Sequence, residues 1–145
     1  MSDKYGINFT TVPIDNEALK ATPVPSSAVL PVFGVPSAPN CRVEVLSVSL
    51  TYAGVIPIDA SNVMTGDLSF HDASADSDTV LADDYSIKST NASIVLREAL
   101  TIWSGCQSMD SGDTLSFILT VTTPDTAADG GYFTVAYRIK EYSGQ

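Results

Sequence analysis

Two stretches late in the chain alternate apolar and polar residues with a period of two, and that period leaves few folds open. Thr114 to Thr122 puts Leu115, Phe117, Leu119 and Val121 on one face, and Tyr132 to Lys140 does the same with Phe133, Val135, Tyr137 and Ile139. Side chains change face at every residue only in extended backbone, so both stretches are predicted as strands with one buried face. From Cys41 onward, Val43 and Val45 alternate with Arg42 and Glu44, after which Leu46, Val48, Leu50 and Tyr52 alternate with Ser47, Ser49 and Thr51. The apolar phase slips by one residue at Val45-Leu46, which predicts a bulge inside one long strand. Gly66 to His71 reads as a short strand with Leu68 and Phe70 on one face, and Tyr85 with Ile87 suggests another. Ile94 to Trp103 fits a helix through Val95, Ala99 and Ile102, or a strand through Ile94, Leu96, Leu100 and Ile102 interrupted by Glu98. Its neighbours favour the strand.

Turn chemistry separates these runs. Gly54 and Pro57 follow the long strand, Asp110-Ser111-Gly112-Asp113 precedes the first late strand, and Pro124 to Gly131 divides the two late strands. About seven or eight short strands over roughly 105 residues, with no helical crossover, predict an all-β fold. The expected architecture is a β-sandwich, jelly-roll-like, spanning residues 41–145.

Residues 1–40 have a different character. Six of the eight prolines lie from Pro13 to Pro39, and each fixes φ, removes an N–H donor and restricts its predecessor. Neither a helix nor a central strand is expected to run through them. The segment is predicted to be an extended arm, with Asp15 to Lys20 long enough for one helical turn. Val24, Val29, Leu30, Val32, Phe33 and Val35 make it too apolar for a solvated linker, so it is expected to lie against its own domain, a sister subunit or a different protein, and these residues are the candidate partner-binding set.

The 145 residues are 44% hydrophobic, a composition that supports a core without metals or disulfides. Seven basic against seventeen acidic residues give a net charge of −10, a field that repels phosphate backbones and anionic lipid. Neither nucleic acid nor membrane is therefore an expected partner. Cys41 and Cys106 lack the spacing of a zinc or redox pair and read as two buried thiols, with a single disulfide as the alternative. The polar start, Met1 to Tyr5, carries no signal-peptide pattern, so synthesis in the cytoplasm is expected and the Asn8-Phe9-Thr10 and Asn91-Ala92-Ser93 sequons read as chance.

Few residues offer chemistry. His71 is the only histidine, which excludes a multi-imidazole metal site, and no G-x-S-x-G elbow presents a serine to it. The acidic stretch Asp72 to Asp84 is predicted to be a loop. Counted from Asp72, oxygens of Asp72, Ser74, Asp76 and Asp78 fall at positions 1, 3, 5 and 7, and Asp83 at 12, as in a calcium loop. Ser77 stands where that loop needs glycine, and the flanks read as strands, so a solvated acidic loop is the competing reading. No carboxylate pair stands out for glycoside hydrolysis. Trp103, Tyr52, Tyr85, Tyr132, Tyr137 and Tyr142 are either a sugar-stacking platform or core and sheet-face residues. Gly130-Gly131 reads as a turn rather than a phosphate cradle. The expectation is a non-enzymatic protein without a cofactor.

Leu100 to Val121, with its Met109-Asp110-Ser111-Gly112-Asp113-Thr114-Leu115 turn-to-strand passage, and Gly130 to Arg138 resemble auxiliary virion proteins of tailed bacteriophages, the capsid decoration (cement) proteins above all. Those are small β-rich domains, often trimeric, with an extended arm reaching across neighbouring capsomers. The resemblance implies a structural protein on the capsid's outer surface, made in the host cytoplasm, with the major capsid protein and sister subunits as partners and a homotrimeric state. The alternative is a head-fibre or receptor-binding module that recognises carbohydrate.

Overall fold

β-branched, leucine and aromatic residues at alternate positions form the strands, and the computed structural model describes residues 6–14, 26–37, 40–52, 64–86, 99–121 and 131–141. Among these, every element is a strand: β1 (Ile7–Ile14), β2 (Ser26–Gly34), β3 (Arg42–Tyr52), β4 (Met64–Asp72), β5 (Ser77–Ser86), β6 (Ala99–Asp110), β7 (Thr114–Val121) and β8 (Gly131–Glu141). They build two four-stranded antiparallel sheets, ordered β1-β8-β3-β6 and β2-β7-β4-β5. The first strand pairs with the last, the second with the seventh, the third with the sixth and the fourth with the fifth. Successive rungs of this ladder alternate between the sheets.

The inner faces meet in one core. Val45, Val48, Leu50, Phe133 and Val135 come from the first sheet, and Val32, Leu68, Leu115, Phe117 and Leu119 from the second. Phe117 and Phe133 touch across the gap with ring centroids 5.4 Å apart, and Phe33 meets Tyr137 at 5.1 Å. Both contacts join one sheet to the other, which makes the architecture a β-sandwich.

The phase slip at Val45-Leu46 is a bulge: pairing of β3 with both β6 and β8 shifts register between Val45 and Ser47. The extra residue lets Val43 and Val45 on one side of it, and Val48 and Leu50 on the other, all reach the core. Both late strands form as expected, with Leu115, Phe117, Leu119, Phe133 and Val135 buried. The region beginning at Ala99 is strand, while residues 91–98, including Glu98, lie outside the described set.

The proline-rich segment differs from expectation. Its described parts are not an arm: β1 is an edge strand of the first sheet and β2 an edge strand of the second. The reason is that an edge strand has only one paired side, so a proline there costs no ladder bond if its nitrogen faces away or sits at an irregularity. Pro31 lies at the register shift of β2 between Pro31 and Phe33. The reading that prolines bar a central strand holds, whereas the boundary at residue 40 does not separate two units. Val32 (1% exposed) and Val35 (5%) are core residues of their own chain, Leu30 and Phe33 are half-buried, and Val29 (68%) faces outward. Val24 and Asp15 to Lys20 lie outside the described residues, as does the turn around Gly54 and Pro57.

A second correction concerns Asp72 to Asp84. The connection is a tight turn, Ala73 to Asp76, and Ser77 already begins β5, which contains Tyr85. The carboxylates at Asp78, Asp83 and Asp84 disguised this strand, because register shifts break the period-two pattern that its apolar Leu81, Ala82 and Tyr85, packed against the core, would otherwise show.

Candidate functional site

The β4–β5 hairpin carries His71 and all five calcium-loop candidates, Asp72, Ser74, Asp76, Asp78 and Asp83. Asp72 folds onto its own turn: its Oδ1 accepts bonds from the Ser74 hydroxyl (2.7 Å) and from the N–H groups of Ser74 (2.9 Å) and Ala75 (3.0 Å). The Ser74 hydroxyl and the Ala75 and Ser74 amides hold its carboxyl below the usual aspartate range. This is an Asx-type turn in which the carboxylate is already engaged. Asp76 adopts a positive φ of 49°, which closes the turn. Asp78 lies across the hairpin from His71, whose Nδ1 is 2.9 Å from the Asp78 Oδ1, while Nε2 faces Asp76 at 3.9 Å. Only the Asp78 contact is within hydrogen-bond distance, so Asp78 orients the ring through Nδ1 while the exposed Asp76 carboxylate stands off Nε2.

The calcium-loop spacing is therefore not gathered into one site. Asp72, Ser74, Asp76 and Asp78 serve the turn and His71, and Asp83 lies further along β5, apart from them. It joins Asp67 and Asp84, with carboxylate oxygens of the three within 4.8 Å of one another. Sequence spacing missed this cluster because a register shift makes it: Gly66 pairs with Tyr85 and Leu68 with Ala82, so Asp83 and Asp84 together oppose Asp67. The Asp84 amide donates to Asp67 Oδ1 at 2.6 Å, and Asp84 takes a positive φ of 47°. Carboxylates are the donors a hard cation takes, but three single oxygens are well short of the roughly six to eight ligands calcium prefers.

A charged cluster spans β3, β6 and β8. Glu44 Oε1 accepts from Arg138 Nη2 at 3.1 Å and lies 3.6 Å from Lys140 Nζ, and its Oε2 takes the Cys106 thiol at 3.1 Å. The Cys106 hydrogen bond, with Lys140 and Arg138, pulls the Glu44 carboxyl below its ordinary value against the opposing effect of desolvation. The same hydrogen bond, with desolvation and the Glu44 charge, pushes the Cys106 thiol up. Both cysteines are free thiols, Cys41 buried and Cys106 exposed, which corrects the reading of two buried thiols.

The aromatics do not assemble a stacking platform among the described residues. Trp103, Tyr85 and Tyr137 pack against the core and Tyr132 is exposed, while the side chains of Tyr52 and Tyr142 lie outside the described set.

What the molecule presents outward is apolar surface on its edges. Phe9 (70% exposed) and Ile7 (57%) lie on β1, Val29 on β2 and Val80 on β5. β1 carries no charged residue, whereas β5 carries Asp78, Asp83 and Asp84. Charges on an edge discourage strand addition, and β1 lacks that protection. Fold and surface together define an all-β sandwich with four edge strands, of which β5 carries three aspartates and β6 ends in Asp110, while β1 and β2 carry no charge and β1 exposes two large apolar side chains to the one of β2. No family model matches the chain, and no curated protein or solved structure matches it either.

Proposed function

We propose that this chain is a structural virion protein that attaches to a bacteriophage capsid as a decoration subunit, through the β1 edge of its sandwich. The observation that carries the reading is the uncharged edge strand with Ile7 and Phe9 exposed, in a chain of net charge −10. A strand of the major capsid protein or of a sister subunit, added beside β1, would gain backbone hydrogen bonds along it, and Ile7 and Phe9 would supply the apolar contact. The acidic β4–β5 side would face solvent. We further read the fold as a jelly roll, supported by the nested pairing of first with last through fourth with fifth and by the alternation of rungs between the sheets. Trimeric association on the outer capsid surface belongs to the same proposal.

The test is reconstitution on capsids lacking the protein. Phe9→Lys and Ile7→Lys together place charge on the edge, and should lower capsid occupancy and the gain in heat resistance while the free domain melts as before. Occupancy equal to wild type would reject the edge as the attachment surface. Removal of residues 2–39 is unsuitable, because it deletes β1 and β2, two of the eight strands among the described residues.

A further inference from the structure

The outer edge of β1 is complementary to itself. Pro13 has no N–H, so its pairing with Tyr132 is not one in which the two residues exchange bonds. Bonded and non-bonded pairs alternate along an antiparallel ladder, and β1 meets β8 in one unbroken register. Asn8, Thr10, Val12 and Ile14 are therefore the residues bonded to β8. The N–H and C=O groups of Ile7, Phe9 and Thr11 point away from it, out of the sheet, and their side chains are exposed together on the outer face.

These three positions are symmetric about Phe9. We infer that β1 pairs with β1 of a second copy, antiparallel about a two-fold axis at Phe9, in the free protein at high concentration. Phe9 then opposes its own counterpart and Ile7 opposes Thr11, and each of these pairs exchanges both of its backbone bonds. The two exposed Phe9 rings meet as a cross-strand pair, with Ile7 covering Thr11. Pro13 selects the register: centred on Thr10 instead, the Ile7 carbonyl would face a residue with no N–H to offer. A foreign strand would need a matching register that nothing on β1 specifies, whereas a second copy supplies it.

Charge favours the same occupant. β1 touches β2, the edge strand of the facing sheet, and neither carries a charged residue. The opposite side of the sandwich holds Asp78, Asp83 and Asp84 on β5 and Asp110 on β6. Two copies of a chain of net charge −10 repel one another, and this two-fold sets no carboxylate of an edge strand against another. A contact this short falls below the roughly 1,000 Å² of a stable interface, so the pair parts on dilution. The inference rests on the reading of β1 as an attachment edge, and names what fills that edge away from the capsid.

Amide exchange followed by NMR at about 10 µM and about 1 mM reads the ladder directly. The amides of Ile7, Phe9 and Thr11 are expected to slow roughly fivefold at the higher concentration, whereas those of Asn8, Thr10 and Val12, bonded to β8 in either state, change less. Added salt should strengthen the pairing by screening the repulsion between two anionic copies. Phe9→Lys sets like charges opposite each other and should leave a monomer at both concentrations. Phe9→Glu should do the same, and mixing the two variants should restore the alternating protection. If neither variant folds, the alternation in the wild type still decides. Wild-type exchange and sedimentation that are the same at both concentrations, or protection without alternation, would overturn the inference. Capsid occupancy is scored apart: a wild-type pair whose occupancy is untouched by Ile7→Lys and Phe9→Lys rejects the attachment reading alone, and a monomer that still decorates capsids through β1 rejects the pair alone.

Discussion

Asp113 is a buried carboxylate (4% exposed) that ties two turns together, and replacing it tests how the sandwich end is held. Its Oδ1 accepts the Ala73 N–H of the β4–β5 turn at 2.9 Å, and its Oδ2 accepts the Asp110 N–H of the β6–β7 turn at 2.7 Å. The Asp113 N–H donates in turn to the Asp110 carbonyl at 3.0 Å, and Gly112 takes a φ of 87° that favours glycine. Hydrogen bonds to a charged acceptor are worth about 1.5–3 kcal/mol each, because loss of the acceptor leaves the donor unsatisfied. Asp113→Ala removes two acceptors and is expected to cost about 3–5 kcal/mol. Asp113→Asn keeps one acceptor oxygen and turns an amide N–H toward the other donor, for a cost of about 1.5–3 kcal/mol. Urea unfolding of both variants, at unchanged m, measures these values directly. A loss under about 0.5 kcal/mol for Asp113→Ala, the range of an ordinary surface change, would refute the bridging role.

Three further outcomes follow from the same geometry. Gly66→Ala would drive a Cβ into the Phe117 ring, which is fully buried, so unfolding free energy should fall by at least about 1–3 kcal/mol, with no loss counting against the packing described. Glu44→Gln removes the carboxylate that holds the Cys106 thiol protonated, so alkylation of Cys106 by iodoacetamide near neutral pH should accelerate, and an unchanged rate would contradict the contact. Because the Glu44 carboxyl is held below its ordinary value of 4.5 in the folded chain, its contribution to stability is present above that value and is lost as pH falls through the lower folded-state value. Stability of wild type should therefore drop more steeply than that of Glu44→Gln over that acidic window, as read by denaturation at successive pH values.

Much of the fold was legible in residue order. Period-two alternation located β3, β4, β7 and β8, and the phase slip at Leu46 located a bulge, because each of these strands buries one face and leaves the other in solvent. Of the four edge strands, β6 was favoured as strand from Ile94 to Trp103, whereas β1, β2 and most of β5 were not legible. β1 and β2 contain prolines, and β5 has polar residues at most positions, so propensity argued against strands that tertiary pairing supplies. The acidic cluster at Asp67, Asp83 and Asp84 depends on a register shift that only pairing reveals. Val32 and Val35 were rightly marked as apolar residues needing cover, but they find it in their own core.

The proposed attachment leaves β1 an open edge in the free protein and covers it on the capsid. Amide hydrogen exchange measured for residues 7–12 and 14 in both states tests it most directly. The account predicts that exchange of these amides slows on the assembled particle by an order of magnitude or more, with β5 amides unchanged. Equal exchange of β1 in the two states, with protection appearing instead along β5, would contradict it.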